Sequence, residues 1–368
     1  MKVFMATFVS ENYGTLLQAY ALQSKLRELG ATPILIEFPL RTKENKHIGI
    51  MQRCRSLFHT EKHYSFIHKV RRKIECRIFK GKRSKAARFI SDNITIDSYT
   101  RCIDQIKSEK CILLAGSDQI WNTLNNPING FYLFDYVQTD NKRCSYAASI
   151  GISDLDETQR KYYAEALKGF YSISFREKIA YDLLHDYLGN PIVRYDLDPT
   201  LLYDKRFWYT FTNNEVEKKP YIFVYILRPD KRLIKMARKI SKRTGYRIVF
   251  LGQYNDVFIG CKTLFSAGIE DFLSAIANAE MVITNSFHCT VFSIIFEKKF
   301  VSVEIESTSS RVENLLSMTG LQNRLIKDIE SLDVIYQEYD TEHVKEILET
   351  EREKSLDYLN EIIVCADR

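Results

Sequence analysis

The sequence lacks the close cysteine pairs that hold metal ions or cross-link small secreted domains. Its eight cysteines are never fewer than nine positions apart, so no Cys-x-x-Cys pair or zinc-finger spacing occurs. No apolar run approaches the roughly 18 residues of a membrane span, and the mixed N-terminus does not read as a secretory signal. The dinucleotide-binding pattern Gly-x-Gly-x-x-Gly is also missing. These absences predict a reduced, cytoplasmic protein without a metal ion or another bound cofactor.

The chain is long enough for two domains. Its 368 residues exceed the roughly 250–300 at which a single hydrophobic core stops growing. Strand-like and helical runs alternate along it, which predicts an α/β protein with parallel sheets. We expect two Rossmann-like domains that face a cleft, over residues 1–202 and 203–340, and a terminal helix over 341–368 that packs on them.

Hydrophobic periodicity supplies the individual elements. The predicted strands are 2–8, 33–38, 111–115, 144–149, 171–175, 192–197, 221–227, 247–251, 281–284 and 299–304, and the predicted helices are 15–29, 157–169, 177–188, 230–244, 270–279, 291–296 and 341–364. Residues 203–219 show little periodicity, so we place the link between the domains there.

The positive charge is concentrated in residues 41–90. This segment holds sixteen Lys and Arg against three acidic residues, a net charge of +13, so the rest of the chain carries −7 of the total of +6. We predict a helical insertion that is either a solvated surface element or a patch for phosphate groups, on an anionic membrane leaflet or a phosphorylated acceptor. Nucleic acid is not expected as a partner, because no nucleic-acid-binding module accompanies the charge.

Polar residues follow several predicted strands, at the edge where parallel sheets bind ligands. In the turn after the first strand, Gly14 permits a tight bend and Thr15 can cap the next helix. After strand 111–115, hydrogen-bonding residues surround Trp121, which indicates either a sugar-binding surface or a polar loop with the tryptophan in the core. His288 follows strand 281–284, where it can either move a proton near neutral pH or rest half-buried in a capping turn.

Three arginines near helix starts or strand ends are candidate anion ligands: Arg176, Arg311 and Arg324. Such arginines also pair with acidic neighbours, and Glu177 is adjacent to Arg176. Two Asp-x-Asp patterns, at 154–156 and 196–198, match a metal-nucleotide motif of some glycosyltransferases, but a pattern that occurs twice by chance predicts no metal site.

Five short motifs occur in one order along the chain. They are Asn12-Tyr13-Gly14 with Leu17-Gln18-Ala19-Tyr20-Ala21-Leu22, Gly116-Ser117-Asp118-Gln119-Ile120-Trp121-Asn122, Ser174-Phe175-Arg176-Glu177-Lys178, Asp198-Pro199-Thr200 and Thr284-Asn285-Ser286-Phe287-His288. Together they resemble the polysaccharide pyruvyl transferase family over about residues 1–326. The resemblance implies a glycosyltransferase-B-like fold and transfer of the pyruvyl unit of phosphoenolpyruvate to two hydroxyls of a sugar. The product would be a cyclic pyruvate ketal on a capsular, exopolysaccharide or other cell-surface glycan.

The resemblance also implies roles for individual residues. Arg176 matches the family arginine that holds the donor, and His288 matches the histidine of a Ser-Arg-Leu-His motif, in which Ser286 and Phe287 replace arginine and leucine. We expect Arg311, Asn285 and Ser286 to complete the donor site. His288 and Asp118 are the predicted catalytic residues. The predicted acceptor-binding residues are Asn12, Tyr13, Gly14, Gln18, Gln119 and Trp121.

Two other functions remain open from the sequence. One is a nucleotide-sugar-dependent glycosyltransferase of the same build, although no distinct nucleotide site is found. The other is a non-catalytic glycan-assembly protein, which the loss of the arginine at Ser286 favours. The basic segment 41–90 further suggests an acceptor carried on polyprenyl pyrophosphate, and a cytoplasmic protein that is peripheral at the inner membrane face.

Overall fold

The computed structural model describes residues 1–38, 66–124, 126–189, 192–212, 215–252, 260–305 and 309–365, without the side chains of residues 66–79 and 309. Residues 41–65 of the basic segment therefore lie outside the described residues. The described chain is built on two parallel sheets, each covered by helices.

The first sheet has the strand order β3-β2-β1-β4-β5, and every pair in it is parallel. A short parallel pair, β6-β7, continues this sheet through the isolated bridge between Cys144 and Ser172. Its strands are β1 Lys2–Ala6, β2 Thr32–Ile36, β3 Ile96–Asp97, β4 Ile112–Ala115, β5 Lys142–Ser145, β6 Ile173–Phe175 and β7 Val193–Tyr195. Its helices are α1 Tyr13–Glu28, α2 Phe66–Asn93, α3 Tyr99–Ser108, α4 Glu157–Leu167 and α5 Lys178–Leu188.

The second sheet repeats this arrangement in the order β10-β9-β8-β11-β12-β13. Its strands are β8 Tyr221–Tyr225, β9 Arg247–Leu251, β10 Lys262–Thr263, β11 Met281–Thr284, β12 Lys299–Val303 and β13 Leu325–Ile326. The remaining helices are α6 Lys205–Tyr209, α7 Lys231–Thr244, α8 Ile269–Ala277, α9 Phe287–Ile295, α10 Ser309–Met318 and α11 Thr341–Cys365. In both sheets the strand order reverses at a central pair, β1–β4 or β8–β11, which opens a crevice beyond the carboxyl ends of the strands.

The predicted fold class is confirmed: an α/β protein with two Rossmann-like domains that face a cleft. The central strands β4 and β11 are buried along their whole length, as strands covered by helices on both faces must be. The two-residue strands β3, β10 and β13 were not predicted, because two residues carry no periodic signal. The predicted domain limits, 1–202 and 203–340, stay predictions.

One hydrophobic core runs through both halves of the molecule. Tyr13 of α1 stacks on Phe272 of α8 with ring centroids 4.7 Å apart, and Trp208 of the linking segment packs edge-on against Phe292 of α9. The terminal helix α11 returns to the first half, where Tyr358 donates a hydrogen bond to the Ser145 carbonyl at 2.9 Å. The relative position of the two sheets is therefore held by buried contacts.

The last part of the basic segment is a docked helix. In α2, Phe89 is buried against Tyr20 of α1. Arg83 of the same helix pairs with Glu11 of the first half at 2.6 Å. Lys85 pairs with Asp271 of the second half, also at 2.6 Å. Exposed ion pairs contribute little stability, so the aromatic contact carries most of the attachment. The end of this helix thus bridges the two halves.

Candidate active site

A cleft of about 250 Å³ opens between the two sheets, at the carboxyl ends of their strands. From the first half it is lined by Phe8, Asn12, Thr15, Asp118 and Gln119, and from the second by Leu227, Arg228, Asn285, Ser286, Phe287, His288, Val303, Glu304, Ile305, Arg311, Val312 and Leu325. Most of the predicted site residues therefore share one crevice.

Two helices begin at this cleft, one from each half. Asn12 caps α1, and its side-chain oxygen accepts a hydrogen bond from the Gly14 N–H at 2.9 Å. Ser286 caps α9, and its hydroxyl accepts from the Cys289 N–H at 3.5 Å. Helix N-termini carry partial positive charge and free N–H donors, so both ends favour an anion in the cleft.

Gly14 of the first half packs closely against the His288 ring of the second half. A Cβ atom on residue 14 would lie 2.0 Å from Nδ1 of His288, so only glycine leaves room for the imidazole ring. The other ring nitrogen, Nε2, is shielded from solvent and lies 3.5 Å from the carboxylate oxygen Oδ2 of Asp198. Nδ1 is therefore the nitrogen left to exchange a proton with a ligand.

Arg176 is surrounded by three carboxylates. Its Nη1 lies 3.0 Å from Asp198 Oδ2 and 3.8 Å from Asp118 Oδ1, and its Nε lies 3.3 Å from Glu177 Oε1. Burial opposes the charge, but Glu177, Asp198 and Asp118 outweigh it and raise the pKa of Arg176. Arg176, which was predicted to bind the donor, does not line the main cleft and instead borders a small adjoining pocket. Its charge is already balanced by the protein.

Asp198 joins Arg176 to His288. Its Oδ2 lies 3.5 Å from His288 Nε2, and its Oδ1 accepts hydrogen bonds from the N–H and the hydroxyl of Thr200, at 3.0 and 2.6 Å. Burial works to raise the pKa of Asp198, but His288, Arg176 and Thr200 hold it well below the usual range. The carboxylate is ionised at neutral pH. Sequence reasoning gave Asp198 no role, although it lies in one of the five motifs.

Arg311 lines the cleft and forms no salt bridge with any of the described residues. Its Nε is buried with no hydrogen-bond partner in the described part of the chain. Its guanidinium lies 5.7 Å from the Phe287 ring, whose centroid is 4.7 Å from the guanidinium of Arg176. Burial and the nearby Arg176 lower the pKa of Arg311 to about 10. It stays charged at neutral pH, and an anion would relieve its unfavourable environment.

Asp118 adopts a backbone conformation that few residues other than glycine accept. Its φ is 73°, and Ala147 in the facing loop has a φ of 48°. The Asp118 side chain accepts a hydrogen bond from the Gln119 N–H at 2.8 Å. Such conformations cost on the order of 1–3 kcal/mol and cluster at functional sites. The strain is in keeping with the predicted catalytic role of Asp118.

Three predicted acceptor residues are buried in the structure, and their roles as ligands stay predictions. Trp121 is fully buried and packs edge-on against Phe170 and Phe175. Gln18 is also fully buried, and its amide donates to the Thr15 carbonyl at 3.0 Å. Tyr13 is enclosed between the halves. The sequence pattern placed these residues near strand ends and helix starts, but it did not say which way each side chain points.

The side chains of two further predicted ligands, Asn285 and Arg324, form hydrogen bonds with the protein backbone. The Asn285 side-chain oxygen accepts from the Leu227 N–H at 2.8 Å, and its nitrogen donates to the Arg228 carbonyl at 2.7 Å, so it shapes the loop that follows β8. Arg324, a candidate anion ligand, is buried under β12 and donates to the carbonyl oxygens of Val334 and Gln337 at 3.0 and 2.6 Å. The anion-binding interpretation of Arg324 is therefore wrong. Arg228 and Glu304 line the cleft without any prior signal in the sequence.

Two facing Rossmann-like domains with a polar interdomain cleft define a glycosyltransferase-B-like protein. The sequence model for polysaccharide pyruvyl transferase matches residues 12–307, and the chain belongs to this family. Family membership makes the protein a transferase that acts in polysaccharide modification, with a sugar or polysaccharide as acceptor.

Solved structures agree on the fold. UDP-N-acetylglucosamine 2-epimerase from Rickettsia bellii matches with a TM-score of 0.52 at 12% identity, over 98% of either chain. UDP-GlcNAc 2-epimerase from Neisseria meningitidis, bound to UDP-GlcNAc, matches with a TM-score of 0.50 at 8% identity, over 100% of this chain and 99% of the other. At such low identity the likeness shows the fold alone. No curated protein sequence matched the chain.

The described residues contain neither a membrane-spanning helix nor a cluster of metal ligands. No helix within those ranges combines the length and the apolar composition that crossing a bilayer requires. The same residues contain no group of three or more His, Cys, Asp or Glu side chains that could hold a metal ion.

Proposed function

We propose that the protein transfers pyruvate from phosphoenolpyruvate to two hydroxyls of a sugar, forming a cyclic ketal during synthesis of a cell-surface glycan. The observation that carries this proposal is the environment of Arg311. A desolvated guanidinium with an unpartnered Nε stands in a cleft where two helices begin and where His288 offers Nδ1. That combination suits a small multiply charged anion beside a proton donor.

The second half supplies the donor site in this proposal. Phosphoenolpyruvate carries a carboxylate and a phosphate, and one unit charge pair at ~4 Å is worth about 4 kcal/mol at an effective dielectric of ~20, before desolvation. Arg311 and the N-terminus of α9 at Ser286 face the cleft and take the place of the family arginine. Arg176 packs on the Phe287 ring next to the cleft. Its guanidinium is held in place by Glu177, Asp198 and Asp118.

The chemistry divides between the two halves. A sugar hydroxyl attacks C2 of the donor while C3 gains a proton from His288, and the hydroxyl proton passes to Asp118. Phosphate then leaves from C2 with the proton held by Asp118, and the second hydroxyl attacks the resulting cation and gives its proton to the neutral His288, which closes the ketal. General acid–base steps of this kind contribute ~10²–10⁴ in rate. Arg311 stabilises the charge on the departing phosphate.

The acceptor site belongs to the first half. Asn12 and Gln119 line the cleft there and offer amide groups for sugar hydroxyls. The basic helix α2 ends beside this wall, where Arg83 pairs with Glu11. We propose that the acceptor is carried on polyprenyl pyrophosphate and that residues 41–90 hold the protein at the anionic inner membrane face. Binding to anionic liposomes should weaken as salt is added, and salt-independent binding would contradict this part.

Ligand-dependent melting and product analysis test the proposal together. Phosphoenolpyruvate should raise the melting temperature, whereas UDP-sugars should not, because a ligand that binds only the folded state stabilises it. With a panel of glycan acceptors, phosphate release should depend on the acceptor, and mass spectrometry should find the added pyruvate. Stabilisation by UDP-sugars alone would indicate a glycosyltransferase. Donor binding without turnover on any acceptor would indicate a non-catalytic assembly protein.

A further inference from the structure

We infer that Asp198 is a positioning residue that fixes the His288 ring across the junction between the two halves, with the proton on Nε2 and with Nδ1 left to act on the ligand. This inference rests on the proposed function, because it assigns a partner to the proposed proton donor. Asp198 itself does not line the cleft, so it acts through His288 and Arg176.

The geometry leaves the carboxylate little freedom. Asp198 is only 2% exposed, and Thr200 holds its Oδ1 with two hydrogen bonds of 3.0 and 2.6 Å. The other oxygen, Oδ2, faces Arg176 Nη1 at 3.0 Å and His288 Nε2 at 3.5 Å. Asp198 follows β7 of the first half, and His288 lies in the first turn of α9 of the second half. One buried oxygen thus connects the two halves at the site.

The charges around His288 decide which of its nitrogens carries the proton. Nε2 faces the ionised Oδ2 of Asp198, which favours N–H at that position. Nδ1 lies beside the backbone of Gly14, which has no side chain to hydrogen-bond it, and His288 lines the cleft. When the imidazolium gives its Nδ1 proton to C3 of the donor, the neutral ring that remains keeps Nε2–H beside Asp198. The carboxylate stabilises the charged ring before transfer and the correct tautomer after it.

The chain contains a matched control for a substitution at this position. Asp196 is two residues away and 4% exposed, and its oxygens accept from Arg194 at 2.8 and 2.9 Å and from the Ser174 hydroxyl at 2.7 Å. In the described structure Asp196 forms no ion pair or side-chain hydrogen bond with His288 or Arg176. Asp198→Asn and Asp196→Asn make the same chemical change at similar burial, but only the first alters the partner of the imidazole.

The test combines ¹⁵N spectra of labelled histidine with steady-state kinetics. In the wild type, the resonance lost in His288→Gln should show the neutral ring as the Nε2–H tautomer. Asp198→Asn should convert it to Nδ1–H, because the Asn amide can donate toward Nε2, and Asp196→Asn should leave it unchanged. With donor and acceptor, Asp198→Asn should lower kcat by ~10²-fold or more while the KM for phosphoenolpyruvate changes less than about threefold.

The two arms separate this inference from the proposed function. An unchanged tautomer in Asp198→Asn would overturn the positioning role, whether or not the enzyme turns over phosphoenolpyruvate. The expected tautomer change in a protein that never uses phosphoenolpyruvate would support the positioning role and defeat the proposed function. If Asp198→Asn does not fold, Thr200→Val replaces it, since it removes the 2.6 Å hydrogen bond to the carboxylate without changing charge. A kcat of Thr200→Val equal to that of the wild type would then overturn the inference.

Discussion

The two walls of the cleft carry different kinds of charge. In the first half, the three carboxylates of Asp118, Glu177 and Asp198 surround Arg176 and outnumber its single positive charge, so no positive charge is left for an anionic ligand. In the second half, Arg311 has a buried Nε without a partner, and α9 begins at the cleft. An anion gains most from the second wall, and a neutral polyol is better suited to the first. In the proposed function, the donor therefore binds against the second wall and the acceptor against the first.

The largest predicted effect comes from the point where the walls meet. Gly14→Ala should lower kcat by ~10²–10⁴-fold, because the new methyl group would overlap His288 Nδ1 and displace the ring. Alanine is the better helix former by roughly 1 kcal/mol, so helix propensity opposes part of the stability lost to the overlap. Steady-state kinetics and thermal melting measure the two effects.

Gly169→Ala is the control, since a Cβ there meets only Arg143 Nη1 at an ordinary 3.5 Å. It should leave kcat unchanged. A Gly14→Ala enzyme with normal turnover would show that the halves do not meet at the reacting centre, and the comparison between the walls would lose its basis.

Asp118→Asn tests the first wall. We expect kcat to fall about 10²-fold, since asparagine cannot accept the hydroxyl proton, while the KM for phosphoenolpyruvate stays equal or falls because a negative charge leaves the cleft. Asparagine tolerates the φ of 73° at this position, so the backbone should persist. A higher KM for the donor with unchanged kcat would place the donor, rather than the acceptor, against this wall.

The sequence predicts the backbone elements better than it predicts the contacts of individual side chains. The boundaries of β11 were predicted to the residue, because Met281–Thr284 is an apolar run bounded by polar residues. The encounter of Gly14 with His288 was not predictable, since 274 residues separate them and no local pattern encodes a contact between domains. Trp121 is a second example of a side chain whose direction the sequence does not predict. Its place after β4 was correct, but its direction depends on Phe170 and Phe175, which fold against it.

Two arginines of the second half should respond in opposite ways to the same substitution. Arg311→Met should raise the KM for phosphoenolpyruvate by ~10–10²-fold and abolish donor-induced stabilisation, without lowering the melting temperature of the free protein, because a desolvated cation is removed. Arg324→Met should lower stability by about 3 kcal/mol, since several carbonyl oxygens lose their donor. Donor titrations followed by melting measure both.

An Arg311→Met protein that melts well below the wild type and still binds the donor normally would mean that Arg311 is structural. The donor charge would then have to be met elsewhere. Because the pKa of Arg311 is lowered to about 10, its cation is present at neutral pH, and donor affinity should decline as the pH rises through that value.

The smallest predicted effect concerns the acceptor. Gln119 lines the first wall, and its amide lies so close to Gly151 that a Cβ there would stand 2.2 Å from Nε2. Gln119→Ala should raise the KM for the acceptor by ~3–10-fold, the worth of one net hydrogen bond of about 0.5–1.5 kcal/mol, and should leave the KM for phosphoenolpyruvate unchanged. Gln105→Ala on α3 is the control, because that side chain bonds Lys2 at 3.3 Å, outside the cleft. If Gln119→Ala altered donor binding instead, the acceptor sugar would not bind against the wall formed by the first half.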